Sequence, residues 1–144
     1  MGMYKNILVA LDLAADNTQV LEKAKSVADG AVISSVHVLE PAYFYYGMEP
    51  AIGALPDNFE QDLIERADKE LAESSAPYGI AAEHQYRERG HAATQVLRLA
   101  EDKNVDLIVV GSHGRHGLRL LLGSTANGIL HGAKCDVLAV RVTN

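Results

Sequence analysis

The residues of this chain best suited to hold an anion lie near its C-terminus, in the segment DLIVVGSHGRHGLRLLLGSTANGIL. Gly111 and Gly114 follow an apolar run, and Gly123, Ser124 and Thr125 precede a helix-like stretch. Glycine permits a sharp turn and a close approach to a phosphate, while a helix N-terminus offers unpaired amides and a partial positive charge. The same residues also suit an ordinary strand-to-helix corner in which Ser124 is only an N-cap. The loop by itself leaves both interpretations open.

Two side chains of this loop add contacts that a phosphate would use. Arg115 is the natural charged clamp, because a guanidinium binds phosphate oxygens through paired hydrogen bonds. His113 would contribute in its protonated form, although an unperturbed imidazole is mostly neutral at about pH 7. The loop is not a Walker A motif, since no lysine precedes Ser124. Nor is it the GxGxxG fingerprint, which follows the first strand of its fold, where this chain reads LDLAAD.

The pattern of apolar residues along the chain predicts the fold that positions these loop residues. Apolar β-branched runs alternate with segments of helical periodicity, which predicts a parallel α/β sheet with helices on both faces. Strand 4 is the purest apolar run and is expected at the sheet centre, whereas the more polar strand 3 suits an edge. The predicted elements are strand 1 at about Lys5–Leu13, helix 1 from about Asn17, strand 2 at Ala31–Leu39, helix 2 at Asp57–Ser74, strand 3 at Ile80–Arg87, helix 3 from just after Gly90 to about Lys103, strand 4 at Asp106–Val110, helix 4 from near Ser124 and strand 5 at Val137–Val142.

Two strand orders fit this pattern, and they predict different sites. In the Rossmann-like order 3-2-1-4-5, strands 1 and 4 are neighbours where the connections change sides, and ligands bind outside the carboxyl ends of strands there. Leu11–Ala14 then faces Gly111–Ser124, so Asp12 either meets the glycine loop or only caps helix 1. In the flavodoxin-like order 2-1-3-4-5, the segment facing strand 1 lies near Arg89–His91 and has one glycine. The first order accounts for the glycine loop.

Composition argues against several classes of function. The formal net charge is −6 with no Lys/Arg block, so binding to nucleic acid or to an anionic membrane surface is not expected. The single cysteine, Cys135, rules out an intrachain disulfide and a CxxC metal site, and the six histidines lack metal-ligand spacing. Signal-peptide layout and bilayer-length apolar stretches are not found. We therefore expect a cytoplasmic protein that forms a single domain, residues 1–144.

Two further segments are candidate contact surfaces. The connection Glu40–Pro56 is long for a compact domain and carries the aromatic run Tyr43–Tyr46. It predicts a lid over the pocket, a partner surface or simple packing over helix 2. Strand 5 lies at a sheet edge in the favoured order, and apolar edges invite pairing. Antiparallel pairing of Val137–Val142 across a two-fold axis would form a homodimer.

Four segments, taken in order, resemble the universal stress protein family across essentially the whole chain. They are YKNILVALD, VHVLEP, DLIVVGSHGR and LLLGSTANGILHGAKCDVLAVR, and the combination is more specific than any one of them. The resemblance implies an α/β fold of order 3-2-1-4-5, commonly as a homodimer. In that family, ATP-binding members carry Gly-x-x-Gly, then nine residues, then Gly-Ser/Thr.

The resemblance also implies roles for the residues that match the family's motif. Asp12 would contact the nucleoside or help to hold Mg²⁺ through water, the backbone of Val38 would read the adenine edge, and Gly111 would lie beside the ribose. The implied ligand is ATP, with AMP or ADP as alternatives, together with Mg²⁺. The implied phosphate ligands are Gly114, Gly123, Ser124 and Thr125, and Ala10, Leu11, His113 and Arg115 complete the predicted pocket.

One departure from the motif concerns its spacing. Eight residues, RHGLRLLL, separate Gly114 from Gly123, one fewer than in the commonest ATP-binding pattern. The loop before helix 4 could absorb the difference with the help of Gly117, or Gly123 could be shifted away from the terminal phosphates. The chain also resembles the branch named for the founding member, in which some proteins lack the glycine loop and are not thought to bind ATP. Retention of the glycines favours binding.

The predicted function is that of an ATP-binding regulatory homodimer in the stress response, acting with an unidentified protein partner. Catalysis is not expected, because the sequence offers no base to position water, no lysine for the terminal phosphates and no paired-carboxylate metal site. Any hydrolysis of ATP would be slow and incidental. The alternatives are an interaction dimer of the same fold with an empty pocket, and an adenylating enzyme. The phosphate loop of such enzymes follows strand 1, where LDLAADNT does not fit.

Overall fold

The computed structural model describes residues 2–12, 16–40, 58–113 and 123–143. The strands and helices in these ranges are β1 (Asn6–Ala10), α1 (Thr18–Ala28), β2 (Val32–Leu39), α2 (Phe59–Ser75), β3 (Gln85–Arg89), α3 (Ala92–Asp102), β4 (Leu107–His113), α4 (Ser124–Gly132) and β5 (Asp136–Val142). The strands form one parallel sheet in the order β3-β2-β1-β4-β5. The predicted order 3-2-1-4-5 is therefore confirmed, and the flavodoxin-like order is excluded.

Three strands differ in extent or place from the prediction. β1 ends at Ala10 instead of Leu13, and it occupies the centre of the sheet, with β4 beside it. β4 continues past Val110 to His113, because it keeps its pairing with β5. β3 begins only at Gln85, since the residues before it form two short 3₁₀ turns, Ala76–Tyr78 and Ala82–His84. Both sheet edges are as expected, with β3 at one and β5 at the other.

Two apolar cores cover the two faces of the sheet, because side chains alternate along each strand. Along β1, Leu8 and Ala10 enter the core shared with α3 and α4, whereas Ile7 and Val9 enter the core shared with α1 and α2. The second core also holds a buried polar contact, in which the hydroxyls of Ser35 on β2 and Ser75 on α2 lie 2.7 Å apart. Helices thus lie on both faces, as the sequence predicts.

The amino end of β1 is fixed by one carboxylate. The amides of Lys5 and Asn6 donate to the two oxygens of Asp106 at 2.9 and 3.0 Å, and the side-chain amide of Asn6 donates to the Lys103 carbonyl. Charge-assisted bonds of this kind are stronger than neutral ones. They set the starting register of β1 against β4, in which Ile7 is opposite Leu107.

The helices α3 and α4 approach each other closely on one face. A Cβ added at Gly128 of α4 would lie 2.8 Å from the Cβ of Ala93 on α3, and one added at Gly132 would lie 2.6 Å from Leu97 Cδ1. Small residues one helical turn apart let two helix backbones come together. Within the described ranges, no helix combines the length and hydropathy of a bilayer span. Most of the aromatic connection, including Tyr43–Tyr46, lies outside the described residues.

Candidate functional site

A recess lies at the carboxyl edge of the sheet, above the end of β1. The last pairs of β1 are formed by Ala10, with Val36 on one side and Val110 on the other. Both neighbours continue, β2 to Leu39 through its pairs with β3 and β4 to His113 through its pairs with β5. Since strands are about 4.8 Å apart, β2 and β4 are separated here by roughly 10 Å with no strand between them.

The recess coincides with the point where the connections change sides. α1, which follows β1, packs in the core that contains Ile7, whereas α4, which follows β4, packs in the core that contains Leu8. The chain therefore leaves β1 toward one face and β4 toward the other. In open α/β sheets, this divergence creates the crevice in which ligands bind.

Asp12 lies at the corner where the chain leaves β1, and it is half-buried. Its amide donates to Asn17 Oδ1 at 3.0 Å, and its carbonyl accepts from Asn17 Nδ2 at 2.8 Å. The backbone just before it bonds to β2 instead. The Leu11 amide donates to the Val36 carbonyl at 2.8 Å, and the Leu11 carbonyl lies 3.2 Å from His37 Nδ1. The predicted residues Ala10, Leu11 and Asp12 thus line the floor of the recess.

Val38 stands on the β2 wall of the recess. Its side chain is buried in the core that also contains Ala10, Val110 and Ala126. Val36 directs its carbonyl toward β1, and backbone groups alternate between neighbours along a strand. Val38 therefore directs its amide and carbonyl to the same side, beyond the last pair of β1.

Gly111 and Ser112 form the opposite wall. They continue β4 and are paired with Val140 and Arg141 of β5. Val110 faces α3 and α4, and Ser112, two residues later on the same strand, faces them too. Arg141 is paired with Ser112, so its side chain lies on the same face of the sheet. The predicted site residues Gly114 and Arg115 lie outside the described residues, as does the side chain of His113.

The N-terminus of α4 stands beside this wall. Gly123 is its N-cap, with extended dihedral angles (φ −59°, ψ 157°), and no side chain caps the helix there. Ser124 is the first helical residue, so it is not the N-cap that the ordinary-corner interpretation required. The first amides of a helix have no partner within it, and among the described residues no atom lies within 4 Å of a Cβ added at Gly123. Ser124 is exposed and Thr125 half-buried.

A surface groove of about 370 Å³ between α1 and α2 is a separate feature. Its lining includes the carboxylates of Asp16, Glu70 and Glu73, which would repel a phosphate. Hydrogen bonds from the Thr18 hydroxyl and amide lower the pKa of Asp16, so this carboxylate stays charged. This groove is therefore a poor site for an anionic ligand. Among the described residues, no group of three His, Cys, Asp or Glu side chains is arranged to hold a metal.

Cys135 directly precedes β5, at the amino ends of the strands and so at the opposite end of the sheet from the recess. Burial raises the pKa of its thiol, and the negative charges of Asp136 and Asp106 raise it further. Since the thiolate is the reactive form, the thiol is a weak nucleophile at neutral pH.

The structure brings together most of the predicted residues that it describes, and it adds four. Ala10, Leu11, Asp12, Val38 and Gly111 surround the recess. The predicted residues Gly123, Ser124 and Thr125 begin α4, whose next residue, Ala126, belongs to the same core as Ala10 and Val38. The residues that the sequence did not reveal are Asn17, His37, Ser112 and Arg141. In the sequence, Ser112 and Arg141 would have been found only by extending strand 4 past the end of its apolar run.

Comparisons with known proteins agree with this architecture. The sequence pattern of the family described as "Universal stress protein family" matches residues 3–141. Two relatives from Coxiella burnetii are Universal stress protein A homolog 2, 43% identical with 99% of this chain and 98% of the relative covered, and homolog 1, 45% identical with 95% and 96% covered.

Solved structures show the same fold at low identity. The hypothetical protein MJ0577 superimposes with a TM-score of 0.78 at 22% identity, over 99% of both chains. A universal stress protein in complex with cAMP gives 0.63 at 21% identity, over 97% of this chain and 98% of the other. The universal stress protein from Archaeoglobus fulgidus in complex with dAMP gives 0.57 at 18% identity, over 96% and 98%.

Proposed function

The chain belongs to the universal stress protein family, and from this premise we propose that it is a regulatory protein that binds ATP, or else AMP or ADP, in the recess above β1. The observation that carries the proposal is the N-terminus of α4, where the described residues provide no side-chain cap and no atom within 4 Å of a Cβ added at Gly123. Adenine nucleotides bound to two structural neighbours support the ligand class.

Each wall of the recess suits one part of a nucleotide. The Val38 backbone would bond the adenine edge, and Asp12 would accept from the sugar hydroxyls beside Gly111. The amides that begin α4, with the hydroxyls of Ser124 and Thr125, would bind phosphate oxygens, since a helix N-terminus favours negative charge. Gly114, Arg115 and His113 would complete the phosphate side, as the family's motif implies.

The residues present suit Mg²⁺ only as a companion of the phosphates. Mg²⁺ is usually held by one or two carboxylates together with phosphate oxygens and waters. Asp12 is the one carboxylate that the recess offers among the described residues, and no three-ligand cluster is found there. We therefore expect Mg²⁺ to bind with a nucleotide and not to the protein alone.

The regulatory part of the proposal concerns the assembly. We propose a cytoplasmic homodimer that pairs through β5 (Asp136–Val142) and acts on another protein in the stress response, without catalysis of its own. The open edge of the sheet at β5 supports this arrangement, because an apolar edge strand favours pairing with a second chain. Pairing of two identical edges across a two-fold axis closes the assembly.

Nucleotide binding is tested first on the purified protein. Release of ATP, ADP or AMP on denaturation, identified by mass spectrometry, together with a nucleotide-dependent rise in the melting temperature, would support the proposal. An empty protein whose melting temperature is unchanged by millimolar nucleotide would instead favour the interaction dimer with an empty pocket.

The location of the site is tested with Gly123→Val. Valine adopts the dihedral angles of Gly123 without strain, and the described neighbours leave room for it, so the fold should lose at most about 1 kcal/mol from the poorer N-cap. Its methyl groups would occupy the space of a bound phosphate. We expect nucleotide affinity by calorimetry to fall at least about tenfold, or about 1.4 kcal/mol.

The matched control is Ala133→Val, which places the same side chain at the other end of α4, where the backbone is also extended. This variant should bind nucleotide as the unaltered protein does. If Gly123→Val binds with unchanged affinity, the phosphate site lies elsewhere.

A further inference from the structure

We propose that Asn17 and His37 are positioning residues that fix the backbone of Leu11 and Asp12, and thereby set where the Asp12 carboxylate stands in the recess. The inference rests on the proposed function, because it assigns to Asp12 the nucleoside contact. It concerns two side chains for which the family's motif implies no role.

Asn17 is placed as a helix cap but does not act as one. It is the N-cap residue of α1, yet its side chain makes no capping hydrogen bond. Asp16 Oδ1 instead accepts from the Thr18 amide at 2.9 Å. The Asn17 side chain turns back to Asp12, with Oδ1 accepting from its amide and Nδ2 donating to its carbonyl. Only a primary amide offers an acceptor and a donor in this fork.

Burial makes this fork costly to lose. Asn17 is 8% exposed, among the few buried polar residues of the described chain. A buried polar group without a partner costs about 1–3 kcal/mol. Since the chain leaves the sheet at Asp12, no strand can satisfy the amide and carbonyl there. The Asn17 side chain makes the two hydrogen bonds that a neighbouring strand would otherwise make with Asp12.

His37 holds the preceding residue. Its Nδ1 lies 3.2 Å from the Leu11 carbonyl, and because a carbonyl only accepts, Nδ1 must carry a proton and donate. The side chain lies on the same face of β2 as Ser35, which bonds to α2. The Leu11 amide is already bound to the Val36 carbonyl at 2.8 Å.

All four backbone polar groups from the Leu11 amide to the Asp12 carbonyl therefore have a partner, and three of them are bonded by the side chains of Asn17 and His37. This arrangement immobilises a non-strand segment in the middle of the candidate site. A ligand group that is already ordered loses less conformational freedom on binding. The predicted effect of the two side chains is therefore on affinity through Asp12.

The test is a double-mutant cycle with nucleotide affinity measured by calorimetry. Asn17→Leu removes both halves of the fork without adding charge, and Asp12→Ala removes the carboxylate but keeps the backbone. We expect Asn17→Leu to weaken binding about tenfold alone and less than about twofold in the Asp12→Ala background, because coupled residues are not additive. Equal losses in both backgrounds would overturn the inference.

For His37, the informative comparison is between His37→Asn, which keeps a donor near the position of Nδ1, and His37→Leu, which has none. Binding should be retained within about threefold in the first and lost about tenfold in the second. The same affinity in both variants would remove His37 from the proposal. If Asn17→Leu does not fold, Asn17→Ser takes its place in the cycle, because a single short hydroxyl cannot bond the amide and the carbonyl of Asp12 together.

Amide hydrogen exchange separates this inference from the proposed function. Asn17→Leu should speed exchange at the Asp12 amide at least about tenfold more than at Val109, a buried amide of β4 that reports the loss of global stability. If the unaltered protein binds no nucleotide, the proposed function fails, and this measurement still decides the positioning role. Unchanged exchange at Asp12 would then overturn it.

Discussion

At the scale of single residues, the contact between Tyr4 and Asp136 makes stability depend on pH. The Tyr4 hydroxyl donates to Asp136 Oδ2 at 2.8 Å and ties the N-terminal segment to the start of β5. This hydrogen bond raises the pKa of Tyr4 above its ordinary value of 10.0, with smaller contributions from burial and from the charges of Asp136 and Asp106.

We expect this contribution to disappear at alkaline pH. Because the folded protein holds the Tyr4 proton more tightly than the unfolded chain, the stabilisation is complete below about pH 10 and is lost as the pH rises through the higher folded pKa. Urea unfolding between pH 8 and pH 12 measures it. Tyr4→Phe should be less stable at pH 8 and should show a shallower decline above pH 10.

The comparison for Tyr4→Phe is Tyr78→Phe, the same change at a second tyrosine. Burial and the charges of Glu22 and Asp16 raise the pKa of Tyr78, so this variant should also show a shallower decline above pH 10, but it keeps the hydrogen bond from Tyr4 to Asp136. Parallel declines of the unaltered protein and Tyr4→Phe above pH 10 would contradict the assignment to Tyr4.

Single residues also show how far the sequence predicts the site. Asp12, Gly111 and Gly123 were predictable, because residue type and position after or before an element indicate a corner. Asn17 and His37 were not predictable, because they contact the main chain of Leu11 and Asp12. The residue types at those positions do not indicate which side chain will bond to their main chain. The sequence placed Asn17 at the start of helix 1. Only the direction of its side chain in the structure shows that it bonds to the backbone of Asp12.

At the scale of elements, the contact between α3 and α4 depends on Gly128. A Cβ at this position would lie 2.8 Å from the Cβ of Ala93, an atom fixed to the helix backbone. We expect Gly128→Val to lower the free energy of unfolding by about 1–3 kcal/mol, through overpacking between the helices. Thermal and urea unfolding would measure the loss.

Gly132 supplies the comparison one turn later. An added Cβ there would meet Leu97 Cδ1, the end of a side chain that can rotate away. Gly132→Ala should therefore cost little, and the removal of a helical glycine offsets part of that cost. An equal or larger loss in Gly132→Ala than in Gly128→Val would show that the backbones are not in close contact at Gly128.

The elements themselves were largely predictable, whereas the ends of the strands were not. Apolar periodicity located each strand and helix in the described ranges, because burial on one or both faces leaves a repeating pattern. The end of β1 at Ala10 and the extension of β4 to His113 depend on pairing with distant strands. Local residue types do not encode that pairing, yet the difference between the two ends creates the recess.

At the scale of the whole molecule, the outer edge of β5 bears on assembly, because β5 pairs only with β4 among the described strands. Ala139 is exposed near the middle of the strand, next to the buried Val140. We expect the unaltered protein to sediment with twice the mass of one chain. Ala139→Glu should weaken the dimer at least about tenfold, because two like charges would face each other near the two-fold axis.

The control for the dimer is Ala82→Glu, the same change at an exposed residue beside the opposite edge of the sheet. It should leave the mass unchanged. A monomeric unaltered protein, or an Ala139→Glu variant that dimerises with the same affinity, would place the interface elsewhere or remove it.

The central position of β1 also bears on how each new copy of the protein is made. Its two partners come from opposite halves of the chain, since β2 follows directly while the contact of Asn6 with Asp106 joins positions 100 residues apart. A ribosome therefore releases β1, β2 and β3 well before β4, and one side of β1, which is apolar from Ile7 to Ala10, lacks its neighbouring strand during translation. Such nascent edges are open to aggregation. The pocket that we propose above β1 likewise cannot form until β4 has been synthesised.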